Sequence, residues 1–269
     1  DADPALWVVR DADTTIYLFG TIHVLRPGLS WFDEAVADAF NASDELKIEL
    51  IQPQDQSAMA ALIQRTAIYS DGITLISRLT EEQRTTFLAA LQQYGVQPEA
   101  FDTLKPWYAS LMLTMGAYQA MGFTPDNGAE HVLTEAANAA HKPITAFETA
   151  EEQIGFLSST PESEQIAGLL QFFTHAREIR QNTANLLSSW SDGNPEATAT
   201  IFNEASAEAP ETMRILLTDR NRRWAETLAA RMEQPGTLFV AVGAGHLAGD
   251  MSVQHFLNER GIIATRVAY

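Results

Sequence analysis

Two histidines in this chain follow a glycine at the same spacing, Gly20-Thr21-Ile22-His23 and Gly243-Ala244-Gly245-His246. Each Gly-x-x-His stands directly behind an apolar run rich in β-formers, Thr14 to Phe19 in the first case and Thr237 to Val242 in the second, and both runs read as strands. Glycine permits a sharp turn and a close backbone approach. Both imidazoles are therefore expected just past a strand's C-terminal end, where open α/β sheets take their ligands. Two glutamates end strand-like runs as well. Glu49 lies near the end of Glu45 to Ile51, on the side opposite the alternating Leu46, Ile48 and Leu50, and Glu148 closes the run Ile144 to Phe147. Two imidazoles with one or two carboxylates and no thiolate suit zinc, manganese, cobalt or iron(II), with a position left for water. Such an ion brings the pKa of its water toward neutrality, and a spare glutamate can act as general base.

Each residue also has a plainer reading. His246 alone is a hydrogen-bonded histidine in a Gly-rich turn, and Glu49 alone is a solvated strand-end carboxylate. Glu148 precedes Thr149, which makes a capping box with Glu152, so a helix dipole accounts for an acid there. The four-residue match is too short to be a repeat, and the HExxH arrangement is absent, as are a P-loop, a GxSxG elbow and a GxGxxG behind a strand. Arg220, Arg222 and Arg223 are the densest positive charge in the chain. They read as a salt-bridged helix face, or as a cluster holding an anionic substrate group or a carboxylate of the site.

The elements that must position these residues alternate between strand and helix. A hairpin, Leu6 to Arg10 and Thr14 to Gly20 about the turn Asp11-Ala12-Asp13, is followed by a helix opening at Ser30 with Asp33 as an acidic capping-box partner. The stretch from Gln52 to Phe123 is helical, with a capping box at Thr80 and Gln83, a stop at Gly95, and an apolar helix over 107–121 that reads as buried. A helix over Ala129 to Ala140 carries Glu130. Further helices fill the region after Thr160-Pro161, and a helix over Val253 to Arg260 and a last strand, Ile262 to Val267, close the chain. The expectation is one α/β (α+β) domain over 1–269, a mixed central sheet flanked by helices with helical insertions near 52–125 and 149–235.

The chain has 269 residues, no cysteine and a formal net charge of -18. That charge disfavours nucleic acid and anionic membrane surfaces, and the missing cysteine removes disulfides and thiolate sites. No run of 18 apolar residues exists, so no transmembrane segment is expected. The chain begins at Asp1, which raises the expectation that an upstream piece has been removed.

The two GxxH motifs, the strand ending at Glu49, the segment Gly128 to Glu148, Arg220-Asn221 and the run Gly243 to Gly249 together resemble the TraB/GumN family, in the same order and over nearly the whole chain. The family includes the Tiki-type metal-dependent proteases that inactivate Wnt, and in fold it is distantly similar to erythromycin esterases and the haem-binding ChaN proteins. The resemblance implies an active site of two GxxH histidines and a glutamate, and an extracytoplasmic (periplasmic or secreted) setting. One departure is Phe147, where the family usually has leucine. The expected function is therefore a divalent-metal-dependent hydrolase, most simply a peptidase using Mn, Co or Zn on a peptide or small-molecule substrate. His23, His246, Glu49 and Glu148 are the ligand and catalytic residues, the two glutamates in either order, with Arg220, Asn221 and Glu130 toward the substrate. The alternatives are a non-enzymatic protein binding a ligand, metal or haem, with the 107–121 helix lining its pocket, and histidines that only brace turns.

Overall fold

The structure is a computed structural model describing residues 1–268 except 54 and 71, with the backbone alone at 176 and 177. It divides into two compact units. The first comprises Asp1–Ile51, Gly122–Thr149 and Thr183–Tyr269, and the second Gln52–Met121 and Ala150–Asn182. Residues 183–235 thus belong with the sheet, whereas 52–121 and 150–182 pack together as the other unit.

The first unit holds a six-stranded sheet. Its strands are β1 (Leu6–Arg10), β2 (Thr14–Thr21), β3 (Glu45–Leu50), β4 (Ile144–Glu148), β5 (Gly236–Gly243) and β6 (Thr265–Arg266), in the order β4-β3-β5-β2-β1-β6. β4, β3, β5 and β2 are parallel, and β1 runs antiparallel to both β2 and β6, so the sheet is mixed. The hairpin between β1 and β2 is set by Asp11, whose Oδ1 accepts from the backbone N–H of Asp13 at 3.1 Å and Thr14 at 2.8 Å, a local bond that favours a turn over an extended strand.

β5 is almost wholly apolar because both faces of the sheet are covered. Phe239 and Ala241 face a core with Phe19, Trp31, Phe40, Leu133 and Trp190, supplied in part by α1 (Glu34–Ala42), α5 (Ala129–Ala139) and α8 (Ala176–Ser191). Leu238, Val240 and Val242 face the other way, against Trp224, Leu228 and Phe256 of α11 (Asp219–Arg231) and α12 (Val253–Asn258). The alternation is the period of two of a strand. Since four strands are parallel, their C-terminal ends share one rim. Leu50 pairs with Glu148, and Thr21 with Gly243.

The second unit has its own core of Leu75, Phe87, Leu91, Phe101, Ile166, Leu169 and Phe173. Phe87 and Leu91 come from α3 (Glu81–Tyr94), Ile166, Leu169 and Phe173 from α7 (Glu162–Thr174), and Leu75 and Phe101 flank 3-10 turns; Ala109 of α4 (Pro106–Ala120) joins them, and α2 (Gln56–Ala67) and α6 (Ala150–Ser159) belong to the same unit. The capping box at Thr80 and Gln83 forms, and α3 ends at Gly95 with φ 67°.

Several boundaries differ from expectation. α1 starts at Glu34 instead of Ser30, because the Ser30 hydroxyl donates to the Asp33 carboxylate at 2.5 Å and caps no backbone. The last strand shrinks to Thr265–Arg266. α4 is buried only at Pro106, Trp107 and Ala109, while Leu111 and Met112 are exposed; an apolar composition without a one-sided stripe does not specify a buried face. No helix among the described residues is long and apolar enough to cross a membrane.

Candidate functional site at the strand ends

The candidate residues lie in the first unit, along the rim where the parallel strands end. Glu49 is the penultimate residue of β3 and Glu148 the last of β4; His23 follows β2, and His246 lies in the 3-10 turn Ala244–Leu247 behind β5. The GxxH glycines are needed here for room. A β-carbon at Gly20 would stand 3.1 Å from the Cα of Ala244, so the two GxxH turns lie against each other. A β-carbon at Gly243 would come within 3.2 Å of Glu49 Oε1 and 3.3 Å of His23 Nε2. Those two atoms therefore border one small volume, which only a residue without a side chain leaves open. The Gly20 carbonyl accepts from the Trp190 indole at 2.7 Å, which fixes the first turn from the core side.

Arg220 joins the two glutamates. Its Nη2 donates to Glu49 Oε2 at 2.7 Å and to Glu148 Oε2 at 2.8 Å, and its Nε to Glu148 Oε1 at 2.9 Å. Nη1 donates to the Leu216 carbonyl at 2.8 Å. Leu216 lies in a π-turn, Arg214–Thr218, between a short helix, α10 (Pro210–Met213), and α11. Single π-turns inside helices often mark functional sites. Glu148 also accepts from the Trp224 indole at 3.1 Å. Phe147 stacks on Trp224 at 4.8 Å, which gives its aromatic ring a packing role. Of the other two arginines, Arg223 is 3.7 Å from Glu148 and Arg222 lies over the Phe256 ring.

Each imidazole is anchored through Nδ1. That of His246 meets Asn221 Oδ1 at 2.5 Å, and the Asn221 amide nitrogen donates to the Met251 carbonyl at 2.7 Å. The amide orientation follows from that second bond. The His246 Nδ1 therefore carries the proton, and Nε2 is left as the lone-pair nitrogen, 3.3 Å from Arg220 Nη1 and 3.6 Å from Glu49 Oε1. The His23 Nδ1 meets Glu130 Oε1 at 2.5 Å, and the Thr21 hydroxyl donates to the same oxygen. Glu130 sits in the first turn of α5, where an acid is favoured. The helix start is held against the first GxxH turn by the Ala129 N–H, which donates to the Ile22 carbonyl at 3.0 Å. At Gly128 a β-carbon would lie 2.1 Å from the His23 carbonyl oxygen.

These surroundings separate the ionisations. Burial drives His246 down to about 3, with the positive charges of Arg220 and His23 adding to it and Glu49 opposing. Glu130 pushes His23 up to about 9, against desolvation and with help from Glu49; its ring is 66% exposed, so water screens the pair. Burial alone would push Glu49 up. The imidazoles of His246 and His23, the Arg220 guanidinium and the Gly243 N–H, which donates to Oε1 at 2.7 Å, outweigh it and bring Glu49 down to about 2. With His246 neutral, Arg220 and His23 are the counter-charges at neutral pH.

Glu49, Glu148, Arg220, Asn221 and His246 are thus linked through these contacts at the rim, and the His23–Glu130 pair meets them at Gly243, beside which His23 Nε2 and Glu49 Oε1 both lie. Glu130 and Asn221 hold histidines, and Arg220 holds carboxylates. Trp224, Trp190, Thr21 and the π-turn were not singled out from sequence. One signal was present for Trp224: Arg220, Asn221, Trp224, Ala225 and Leu228 are all buried at the spacing of an inward helix stripe. Among the described residues, no three His, Asp or Glu side chains stand together as a ready metal-holding group. In donor chemistry the set does fit a divalent ion, with two imidazole Nε2 atoms and the Glu49 carboxylate.

A mixed α/β sheet carrying paired GxxH turns and a buried arginine–glutamate network on its strand ends defines the class. The chain belongs to the TraB/PrgY/gumN family, whose family model matches residues 5–266. It is similar to the protein YbaP of Escherichia coli (strain K12), 26% identical over 255 residues that cover 94% of this chain and 92% of the relative. The match to YbaP of Shigella flexneri is the same in identity and coverage. A protein of Treponema pallidum (strain Nichols) is 21% identical over 276 residues, covering 96% and 81%.

Proposed function

We propose that the protein is a divalent-metal-dependent hydrolase acting on peptide bonds. The observation that carries this reading is the anchoring of both imidazoles through Nδ1, by Glu130 and by Asn221, with the Nε2 atoms left toward the Glu49 side of the rim. Ligand histidines are held in that way, the second nitrogen tied to a carboxylate or amide oxygen. His23, His246 and Glu49 would hold the ion, His23 giving up its Nε2 proton to solvent as the ion binds. When bound, the ion supplies a water of near-neutral pKa and polarises the scissile carbonyl.

The other residues act on position and protons. Both Glu148 oxygens already accept from Arg220, and Oε1 also accepts from Trp224, so Glu148 fixes the guanidinium instead of serving as base. Arg220 in turn holds Glu49 ionised and in place. Among the described residues the Oε2 of Glu130 is buried without a hydrogen-bond partner, next to the Oε1 that holds His23. The test is metal analysis of protein purified without a histidine tag, followed by peptide cleavage with Mn²⁺, Co²⁺ or Zn²⁺. Metal content and cleavage are expected in the wild type and lost in His23→Ala and His246→Ala; variants that keep both would end the proposal.

A further inference from the structure

A cavity of about 280 Å³ opens in the first unit between the residue 25–32 loop and the start of α5. Its wall is mixed: Leu25, Leu29, Trp31, Phe32 and Val132 supply apolar side chains, beside the polar groups of Arg26, Ser30 and Asn127. Its volume is just below the range of roughly 300–1,000 Å³ of small-molecule sites, which suits one large side chain.

Its placement ties it to the strand-end site. The first wall begins two residues after His23, and Val132 lies two residues after Glu130. These segments are joined by backbone hydrogen bonds: Ala129 N–H donates to the Ile22 carbonyl at 3.0 Å, and Thr124 N–H to the Leu25 carbonyl at 3.0 Å. Two residues of extended chain span at most about 7 Å. The cavity therefore begins within about 7 Å of chain from His23, close enough for a neighbouring side chain of a peptide held there to reach it. Immediately after this loop, Glu34 takes φ 41°, a left-handed conformation for a residue with a side chain, and such strain gathers at ligand clamps.

We infer that this cavity is a specificity subsite for a large apolar side chain, aromatic or aliphatic, of a peptide substrate. The assignment rests on the peptidase reading for its substrate class, but its binding step does not need the metal.

The experiment uses a blocked alanine-based hexapeptide carrying one phenylalanine and its twin with glycine in that place. Each is titrated into the metal-free protein by NMR, with the Trp31 indole N–H as reporter, and then incubated with Mn²⁺-loaded protein. The phenylalanine peptide is expected to bind at least tenfold tighter and to shift Trp31. Ser30→Tyr, which fills the mouth from an exposed position, and Val132→Thr, which puts a hydroxyl in the wall at nearly constant volume, should each erase most of that difference. Equal affinities, an unmoved Trp31, or a preference untouched by both variants would overturn the subsite. Phenylalanine-selective binding without Mn²⁺-dependent cleavage would contradict the hydrolase reading and leave the subsite standing.

Discussion

Arg220 and Glu49 are 171 residues apart in sequence, yet Arg220 Nη2 lies 2.7 Å from Glu49 Oε2, both side chains about nine-tenths buried. The same guanidinium holds Glu148, so one cation bridges two carboxylates from neighbouring parallel strands. Three charges buried together are tolerated only as a set.

Removing the cation should therefore be severe. Arg220→Met leaves two buried carboxylates facing each other and should cost roughly 3–5 kcal/mol in urea unfolding, the range for breaking a buried pair. Adding Glu148→Gln to that variant should restore part of the loss. A change within about 0.5 kcal/mol for Arg220→Met would show that the network is not formed.

The stability should depend on pH with a sign fixed by three groups. His246 titrates near 6.5 when unfolded and about 3 when folded, so its contribution is present above 6.5 and lost as pH falls toward 3. Glu49 adds a second loss below 4.5, as pH falls through about 2. His23, raised to about 9, contributes below 6.5 and loses its contribution as pH rises through 9. Unfolding at pH 8, 7, 5.5 and 4.5 should show wild-type stability falling over the acid steps more steeply than that of His246→Gln. Parallel curves would contradict a neutral buried imidazole.

Three of the close-approach glycines, those around the two GxxH turns, should rank by what a new methyl meets. At Gly128 it meets backbone, the His23 carbonyl at 2.1 Å, and Gly128→Ala should lower stability by at least about 3 kcal/mol, the upper end of overpacking costs. At Gly243 it meets side-chain atoms of Glu49 and His23. Gly243→Ala should cost less in thermal unfolding while displacing both groups, and Gly20→Ala should fall between them. Equal Tm values for all three would contradict this geometry.

Anchors of the imidazoles should control metal affinity. Glu130→Gln and Asn221→Leu should each weaken Mn²⁺ or Co²⁺ binding about 10- to 100-fold in equilibrium dialysis. Unchanged affinity in both would mean that neither contact orients a ligand.

Much of this site was legible because strand-end chemistry is local. An apolar run, a glycine and a histidine occur within ten residues, and Glu49 and Glu148 end their own strands. The Arg220 network was less legible, since nothing near residue 220 states which carboxylates it will meet; β3, β4 and α11 come together only in the tertiary fold. The helix expected at Ser30 failed for a local reason, a serine–aspartate side-chain bond competing with the backbone cap. At 107–121 the apolar composition does not bring burial, because no one-sided stripe fixes which face turns inward.

The most direct measurement is the visible absorption of the protein titrated with Co²⁺, in wild type, His23→Ala, His246→Ala and Glu49→Gln. One equivalent should give saturating d–d bands in the wild type, with affinity falling at least 100-fold in each variant. No band in the wild type, or the same titration in all four proteins, would contradict a metal site built on the two GxxH histidines and Glu49.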